Sequence, residues 1–554
     1  MTDSVRRALH SAVALIGILA FATNAGADEA QLLKDKLDQR IAAAGPRTIQ
    51  AGIPAARNPA IKARLEAMRT FYERQQYRFL WLEAGRPAGR AGELLAVLAK
   101  AEDEGLNPRM YGTTALTARA KKADSRDTTD LELDLTIAYL DYAGDVVSGV
   151  VANPRRVGGS FRDAKRPDAA KLLDQLMAAD ASKFFANLSP DSRRYKNLKA
   201  ALARYREIEK EGGWLPISKG PTLKPGMSNA RVVEVKRRLA VTGEFAGTEP
   251  YSPQFDDALV AAVKKFQLRH GLKDDGNVGA ETLAEMNIPV KDRVDQLVIN
   301  LERRRWLAGY LGDRYIYVNI ADNDLKVVVN DKTIHVARVV VGKPFHETPV
   351  FSGLMTYIDL SPFWNVPQSI ASKEMLPLIK RNPGYLDSNN YLLLTRIGDN
   401  NSAIPPSSVD WSAITPANFP YFIRQKPGPW NALGNMAFMF PNPHNVFIHD
   451  TSARTLFSVE DRYFSHGCIR VEHPMKLALL LLKDQEGGAW TERRIQAIVE
   501  KRELLRVNLK NPMPVHITYL TAWADADGTV QFRKDGYKRD PALKLAMRQL
   551  GLVR

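Results

Sequence analysis

The chain has 554 residues, too many for one hydrophobic core, so two to four domains are expected. Apolar residues make up 45% and charged residues 25%, ordinary values for globular protein that exclude wholesale disorder. A net charge of +16 favours polyanionic surroundings without choosing among them.

The first residues have the pattern of an export signal. Arg6 and Arg7 are followed by a short apolar run, Ser11 to Ala22, and then by small residues at Ala25, Gly26 and Ala27. Residues 1–27 are therefore expected to be a cleaved signal peptide, with Ala27 the last residue removed. The alternative, an uncleaved anchor, needs about 20 apolar residues, and this run is shorter. Export would place the mature chain outside the cytoplasm. Nucleic acid is then not an expected partner, whereas an anionic wall or lipid headgroups suit peripheral association. It also makes cysteine usage informative. Exported proteins usually pair their cysteines, and this chain has one, Cys468, which cannot form an internal bridge. A lone thiol in an oxidising compartment is either buried and inert or kept for its chemistry.

Residues 28–215 read as a helical scaffold, with apolar residues at three- and four-residue steps, as in Asp134 to Val151. Residues 216–226, with three prolines and two glycines, read as a linker. Residues 227–289 predict a small three-helix unit. Val232, Val235 and Leu239 mark one helical stripe, and Phe255, Leu259, Val263 and Phe266 a second. A helix follows over 290–308, and its run Arg303, Arg304, Arg305 reads as a solvated or lipid-facing surface.

The periodicity then changes from helical to two. Arg314 to Ile320, Asp324 to Val329 and Ile334 to Val341 are β-branched runs that open a β-rich domain over 312–524. Fourteen of the 32 prolines fall between Pro344 and Pro443. An irregular insertion over about 369–429 is expected there, a candidate lid. Asp525 to Gly528 superficially resembles the start of a calcium loop. Val530 and Gly536 stand where such a loop requires glycine and glutamate, so a hairpin turn is expected. Residues 525–554 form a C-terminal extension. The expected class is multidomain α+β.

Four of the nine histidines, His444, His449, His466 and His473, lie within thirty residues around Cys468. Val446 to Ile448 predicts a strand ending at His449. Pro474 starts a helix just downstream of the cysteine. A thiol of ordinary pKa, about 8.5, is a poor nucleophile at neutral pH, and a neighbouring imidazole can lower it by several units. Gly467 lets a substrate approach the backbone, and amides of His466, Gly467 and Cys468 could form an oxyanion hole. A backbone carbonyl near Asp450 could hold the second imidazole nitrogen. Two other readings stand beside this one: a zinc site drawing on His449, His466, His473 and Cys468, whose spacing fits no common pattern, and an inert buried cysteine.

His449, fifteen intervening residues, and then Ser465-His466-Gly467-Cys468 resembles the signature of the YkuD-type L,D-transpeptidases, supported by SPFWNVPQSI (Ser361 to Ile370) and FIHDT (Phe447 to Thr451). AVKKFQLRHGL, DGNVG and TLAEMN resemble the small peptidoglycan-binding module. The layout, with FYERQQYRFLWL (Phe71 to Leu82) in the scaffold, is similar to the large periplasmic YcbB-type members. The resemblance implies Cys468 as nucleophile and His449 as general acid and base. Ser465, His466 and Gly467 would shape the site, Asp450 would orient His449, and no metal or cofactor would be required. Many members have Asn where this chain has Arg470, which could bind a substrate carboxylate or fix the backbone. Trp364 and Trp430 are candidate groove residues, while His444 and His473 are left to surface or packing roles. The implied substrates are peptidoglycan stem peptides, joined through a thioester, with carbapenems as acylating inhibitors and the periplasm as location. Transfer to water or to a lipoprotein amine, and a non-catalytic wall-binding scaffold, are the alternatives. Oligomeric state is open.

Overall fold

The computed structural model describes residues 27–44, 61–83, 86–122, 127–151, 153–161, 166–307 and 311–554. The expected signal segment, but for Ala27, lies outside them. No helix among the described residues is long and apolar enough to cross a membrane.

The helical part is built around Thr128–Ser148, which is buried along most of its length. Its apolar residues Leu131, Leu135, Tyr139 and Val146 meet Leu65, Met68, Phe71 and Trp81 from earlier segments. Its polar residues are matched inside: Glu132 accepts hydrogen bonds from the Tyr72 hydroxyl at 2.8 Å and the Trp81 amide at 3.0 Å. Buried polar groups left unpaired would cost about 1–3 kcal/mol each.

The helix Val290–Arg305 overturns the expectation of a solvated arginine face. Leu297, Val298 and Leu301 join the scaffold core, and Arg303, Arg304 and Arg305 are only 4%, 7% and 1% exposed. Arg305 pairs with Glu302 and Glu104, Arg303 with Asp540 at 2.6 Å, and Arg304 lies over the Tyr317 ring. The reason is crowding. Helix Arg193–Lys210 packs against it, and so does the C-terminal helix Asp540–Arg548, so its polar face has protein neighbours too. The C-terminal extension is correspondingly part of this core, through Leu543, Met547, Leu552 and Val553.

The small unit contains the expected three helices, Ala230–Thr242, Asp257–Arg269 and Ala280–Met286, around Val232, Leu239, Leu259 and Phe266. Ile217 and Leu223 of the predicted linker also enter this core. With so few buried residues the unit depends on neighbours. His270 stacks on Phe266 at 3.7 Å and faces Phe532 of the C-terminal hairpin at 5.5 Å. That hairpin, Ala522–Ala524 with Val530–Phe532, turns at Asp525 to Gly528 as expected.

Among the described residues nine strands form the main sheet: β1 (Arg314–Asn319), β2 (Asp324–Val329), β3 (Lys332–Gly342), β4 (Ser352–Leu360), β5 (Met436–Met439), β6 (Ile448–His449), β7 (Tyr463–Ser465), β8 (Ile469–Val471) and β9 (Leu505–Thr518). Their order is β7-β3-β8-β6-β5-β4-β9-β1-β2, and β2 also pairs with β3, which closes the sheet on itself. The long β3 does this by dividing its length: Lys332 to Arg338 pair with β2, Val339 and Val340 with β8, and Val341 and Gly342 with β7. Val318, Val327, Val341, Ile358, Phe438, Ile448, Ile469 and Ile517 fill the core, covered by Leu477 and Leu481 of helix Pro474–Leu482.

The insertion between β4 and β5 is more regular than its prolines suggested. Trp364–Asn365, Tyr391–Leu394, Ala403–Ile404 and Phe422–Gln425 form an antiparallel four-stranded sheet. Val366, Met375, Ile379, Leu386, Leu393, Trp411 and Ile423 give it a core of its own. The prolines stand in its turns and helix starts, where no ladder hydrogen bond is lost.

Candidate active site

The site forms where β6 and β8 run side by side. They pair in parallel, Ile448 opposite Ile469 and His449 opposite Arg470. Ile448 and Ile469 are fully buried in the sheet core. Side chains alternate along strands, so Phe447, His449, Cys468 and Arg470 share the opposite face. His449 and Cys468 are therefore diagonal neighbours across this pair.

Cys468 is half-buried, with Sγ 3.7 Å from the Asn445 carbonyl oxygen. No Sγ–imidazole hydrogen bond forms in this state, and the thiol is not activated at rest. Burial pushes its pKa up to about 11, against smaller opposing effects of the Phe447 backbone and the Arg470 cation. Burial also lowers His449 to about 3, with Arg470 adding to the shift and the Asp450 carbonyl opposing it. The expectation that the imidazole would draw the thiol down by several units is corrected: both groups are neutral near pH 7. Desolvation disfavours each charged form, and neither group is among the causes of the other's shift. A proton passing from sulfur to imidazole would then do so during attack rather than before it.

His449 is nonetheless set for that transfer. Its Nδ1 lies 2.5 Å from the Asp450 backbone oxygen. The carbonyl can only accept, so Nδ1 carries the proton and Nε2 is left as the acceptor. Asp450 contributes through that backbone oxygen. Its carboxylate is engaged elsewhere, by the Asn435 amide at 2.9 Å and by Arg454, and burial raises its pKa.

The loop before Cys468 is tightly bonded. Ser465 Oγ accepts from the Gly467 amide at 3.1 Å and donates to the Cys468 carbonyl at 2.5 Å. The Gly467 amide is therefore committed to Ser465 and is not free for an oxyanion, which corrects one of the three expected donors. The His466 and Cys468 amides make no hydrogen bond among the described residues and remain candidates. Gly467 has φ +115°, a backbone conformation that suits glycine.

Two residues that sequence reasoning missed hold this loop. Thr348 Oγ1 donates to the Gly467 carbonyl at 2.8 Å and accepts from the Gly342 amide at 2.9 Å. The Tyr537 hydroxyl donates to the Gly342 carbonyl at 2.7 Å and accepts from the Thr348 amide at 3.1 Å. Neither stands in the local motif, and Tyr537 comes from the C-terminal extension; no signal in a single sequence links them to it.

The other candidates scatter. His466 Nε2 lies 3.0 Å from Glu374 of the insertion. Arg470 carries a buried Nε with no partner among the described residues. Trp364 packs within the insertion beside Tyr391, and Trp430 lies beneath Arg502. His444 packs between Phe351 and Phe161, the latter from the helical part. His473 starts the helix that follows and is exposed. The zinc reading requires His449, His466, His473 and Cys468 to converge, and among the described residues they do not. The His/Cys/Asp/Glu group that does converge there is His346, Glu374 and His466.

Known proteins share these parts. Residues 313–487 match the family model of the YkuD L,D-transpeptidase catalytic domain. Residues 228–286 match a "Putative peptidoglycan binding domain", and residues 66–202 a scaffold domain. A protein of Haemophilus influenzae named "Putative L,D-transpeptidase" is 32% identical over 273 residues, 49% of this chain and 53% of that one. This chain thus spans about half the length of the curated relative it matches. Among solved structures, L,D-transpeptidase 3 from Mycobacterium tuberculosis is 12% identical over 37% of this chain and 61% of that chain, with a TM-score of 0.18. An L,D-transpeptidase (Yku) from Stackebrandtia nassauensis is 13% identical over 55% and 96%, with a TM-score of 0.21.

Proposed function

We infer that the L,D-transpeptidase catalytic domain carried by this chain cross-links peptidoglycan stem peptides through a thioester on Cys468. The observation that carries this reading is the pairing of β6 with β8. That register puts a half-buried thiol diagonal to an imidazole whose Nδ1 is held by the Asp450 carbonyl, which leaves Nε2 free to accept.

In the proposed reaction His449 Nε2 takes the Cys468 proton as sulfur bonds to the carbonyl carbon of the stem's diamino acid, the one joined to the terminal residue's nitrogen. The oxyanion is met by the His466 and Cys468 amides, a kind of contact worth about 3 kcal/mol per donor. The carbon–nitrogen bond then breaks. The leaving amine of the terminal residue receives the proton from His449, and a thioester remains. A side-chain amine of a second stem attacks that thioester, His449 accepts its proton and returns it to sulfur, and the thiol is regenerated. Because both groups start neutral, each half-reaction begins and ends without net charge on the pair.

The small helical module and the net positive charge support wall association, and the N-terminal pattern supports a periplasmic location. Carbapenems fit as acylating inhibitors because they offer the same thiol a strained carbonyl. Product analysis with purified disaccharide tetrapeptide tests the transferase reading. Dimers linked between two diamino acids are expected, abolished by Cys468→Ala. Free tripeptide without dimers would assign the thioester to water instead. Undiminished dimers in the Cys468→Ala chain would remove the thiol from the reaction.

A further inference from the structure

We propose that His346, Glu374 and His466 form a site for a divalent transition-metal ion of the zinc type, bridging the insertion and the loop that carries Cys468. One ligand atom from each residue lies within 4.8 Å of the other two. His466 Nε2 is 3.0 Å from Glu374 Oε1, and the His346 and His466 rings are 4.9 Å apart. Two imidazoles and one carboxylate suit zinc, nickel or copper and disfavour magnesium or calcium, which take oxygen ligands. Ligand atoms at about 2.0–2.2 Å from a tetrahedral zinc ion are roughly 3.4 Å apart. Side-chain rotation is enough to bring the observed spacing to this, and all three residues are exposed. Three protein ligands leave a fourth position for water.

The three ligands come from three separate segments. His346 closes the turn after β3, its amide bonded to the Lys343 carbonyl at 2.8 Å. Glu374 stands on a π-helical turn of the insertion, Ala371–Met375. His466 precedes the nucleophile by two residues. A metal ion here replaces one hydrogen bond between insertion and loop with coordinate bonds to both, so its occupancy fixes the insertion against the catalytic loop. The site is distinct from the zinc grouping that sequence spacing suggested, since it uses neither Cys468 nor His449. Metal binding at it is also independent of what the thiol attacks.

The test is a calorimetric titration of the metal-free full chain with Zn²⁺, using Cys468→Ala as parent so that the thiol cannot serve as a ligand. One zinc per chain is expected, with affinity falling at least tenfold when Glu374→Gln or His346→Ala is added. Zinc should also slow proteolytic cleavage within the insertion in the parent and not in those variants. Matching thermal unfolding of the metal-free proteins separates lost ligation from lost fold. No zinc bound by the parent, or affinity unchanged by either added substitution, overturns the site. The unsubstituted chain is titrated alongside: zinc bound by it and not by the Cys468→Ala parent also overturns the site, because the ion would then sit on the nucleophile.

Discussion

Arg470 in β8 lies directly across the parallel pair from His449 in β6, and its charge acts on both Cys468 and His449. It favours the thiolate form of Cys468 and disfavours the imidazolium form of His449. The cation therefore makes the thiol more acidic and at the same time keeps the imidazole free to accept. Replacing it, Arg470→Ala, is expected to raise the thiol pKa further and slow alkylation by iodoacetamide at pH 8 about three- to tenfold, the effect of half to one pKa unit. Arg470→Lys should recover part of the rate. An unchanged rate in Arg470→Ala would mean that the guanidinium is too solvated to act on the sulfur.

The resting neutrality of the pair has its own signature in pH. A thiol pKa raised to about 11 leaves the sulfur protonated at neutral pH, so the reactive anion grows only as pH climbs above the ordinary thiol range. Iodoacetamide reactivity of the substrate-free chain should rise steadily through pH 9. A plateau of high reactivity between pH 5 and 7 would indicate a preformed thiolate–imidazolium pair, and the neutral starting state would be wrong.

Thr348 positions the loop without touching the reacting atoms. Thr348→Val keeps the shape but removes the hydroxyl shared by the Gly467 carbonyl and the Gly342 amide, both then unpaired. A loss of about 1–3 kcal/mol in stability is expected. The acylation rate should fall while the alkylation rate of Cys468 by a small reagent changes little, because only the former needs the amides aligned. Thr348→Ser should restore acylation. Equal loss in both assays would point to general disorder of the loop.

Arg305 tests the packing of the long helix. Its guanidinium is fully buried between Glu302 and Glu104 and bonds the Tyr195 hydroxyl at 3.1 Å. Arg305→Ala strands buried carboxylates, and a loss of about 3–5 kcal/mol is expected in denaturant unfolding. A change under about 0.5 kcal/mol would return this arginine to the solvated surface that its sequence context suggested.

Much of the architecture could be read from periodicity. The change from helical to alternating pattern at Arg314 and the stripes of Val232, Leu239 and Phe266 appear in the fold, while the strand expected over Val446 to Ile448 is confined to Ile448–His449. What failed shares one cause: periodicity reports which face of an element is apolar, not what lies against the other face. Arg303 is buried against a helix more than 200 residues later, Arg304 against Tyr317, and Arg305 against Glu104 and Tyr195 from the preceding helical part. The insertion was read as irregular because proline counts ignore where prolines stand, and here they fall between the short strands. At the site, residue types were legible and protonation was not. The shifts of Cys468 and His449 arise from burial, which residue types do not reveal, and Thr348 and Tyr537 reach Gly467 through contacts between residues far apart in the chain.

The central claim is that Cys468 accepts the acyl group. Intact-mass measurement of the full chain after brief exposure to disaccharide tetrapeptide tests it most directly. The expected spectrum shows a single adduct equal to the substrate minus its terminal residue, mapped to Cys468, absent in Cys468→Ala and much reduced in His449→Ala. An adduct on any other residue, or its persistence in Cys468→Ala, would contradict the account.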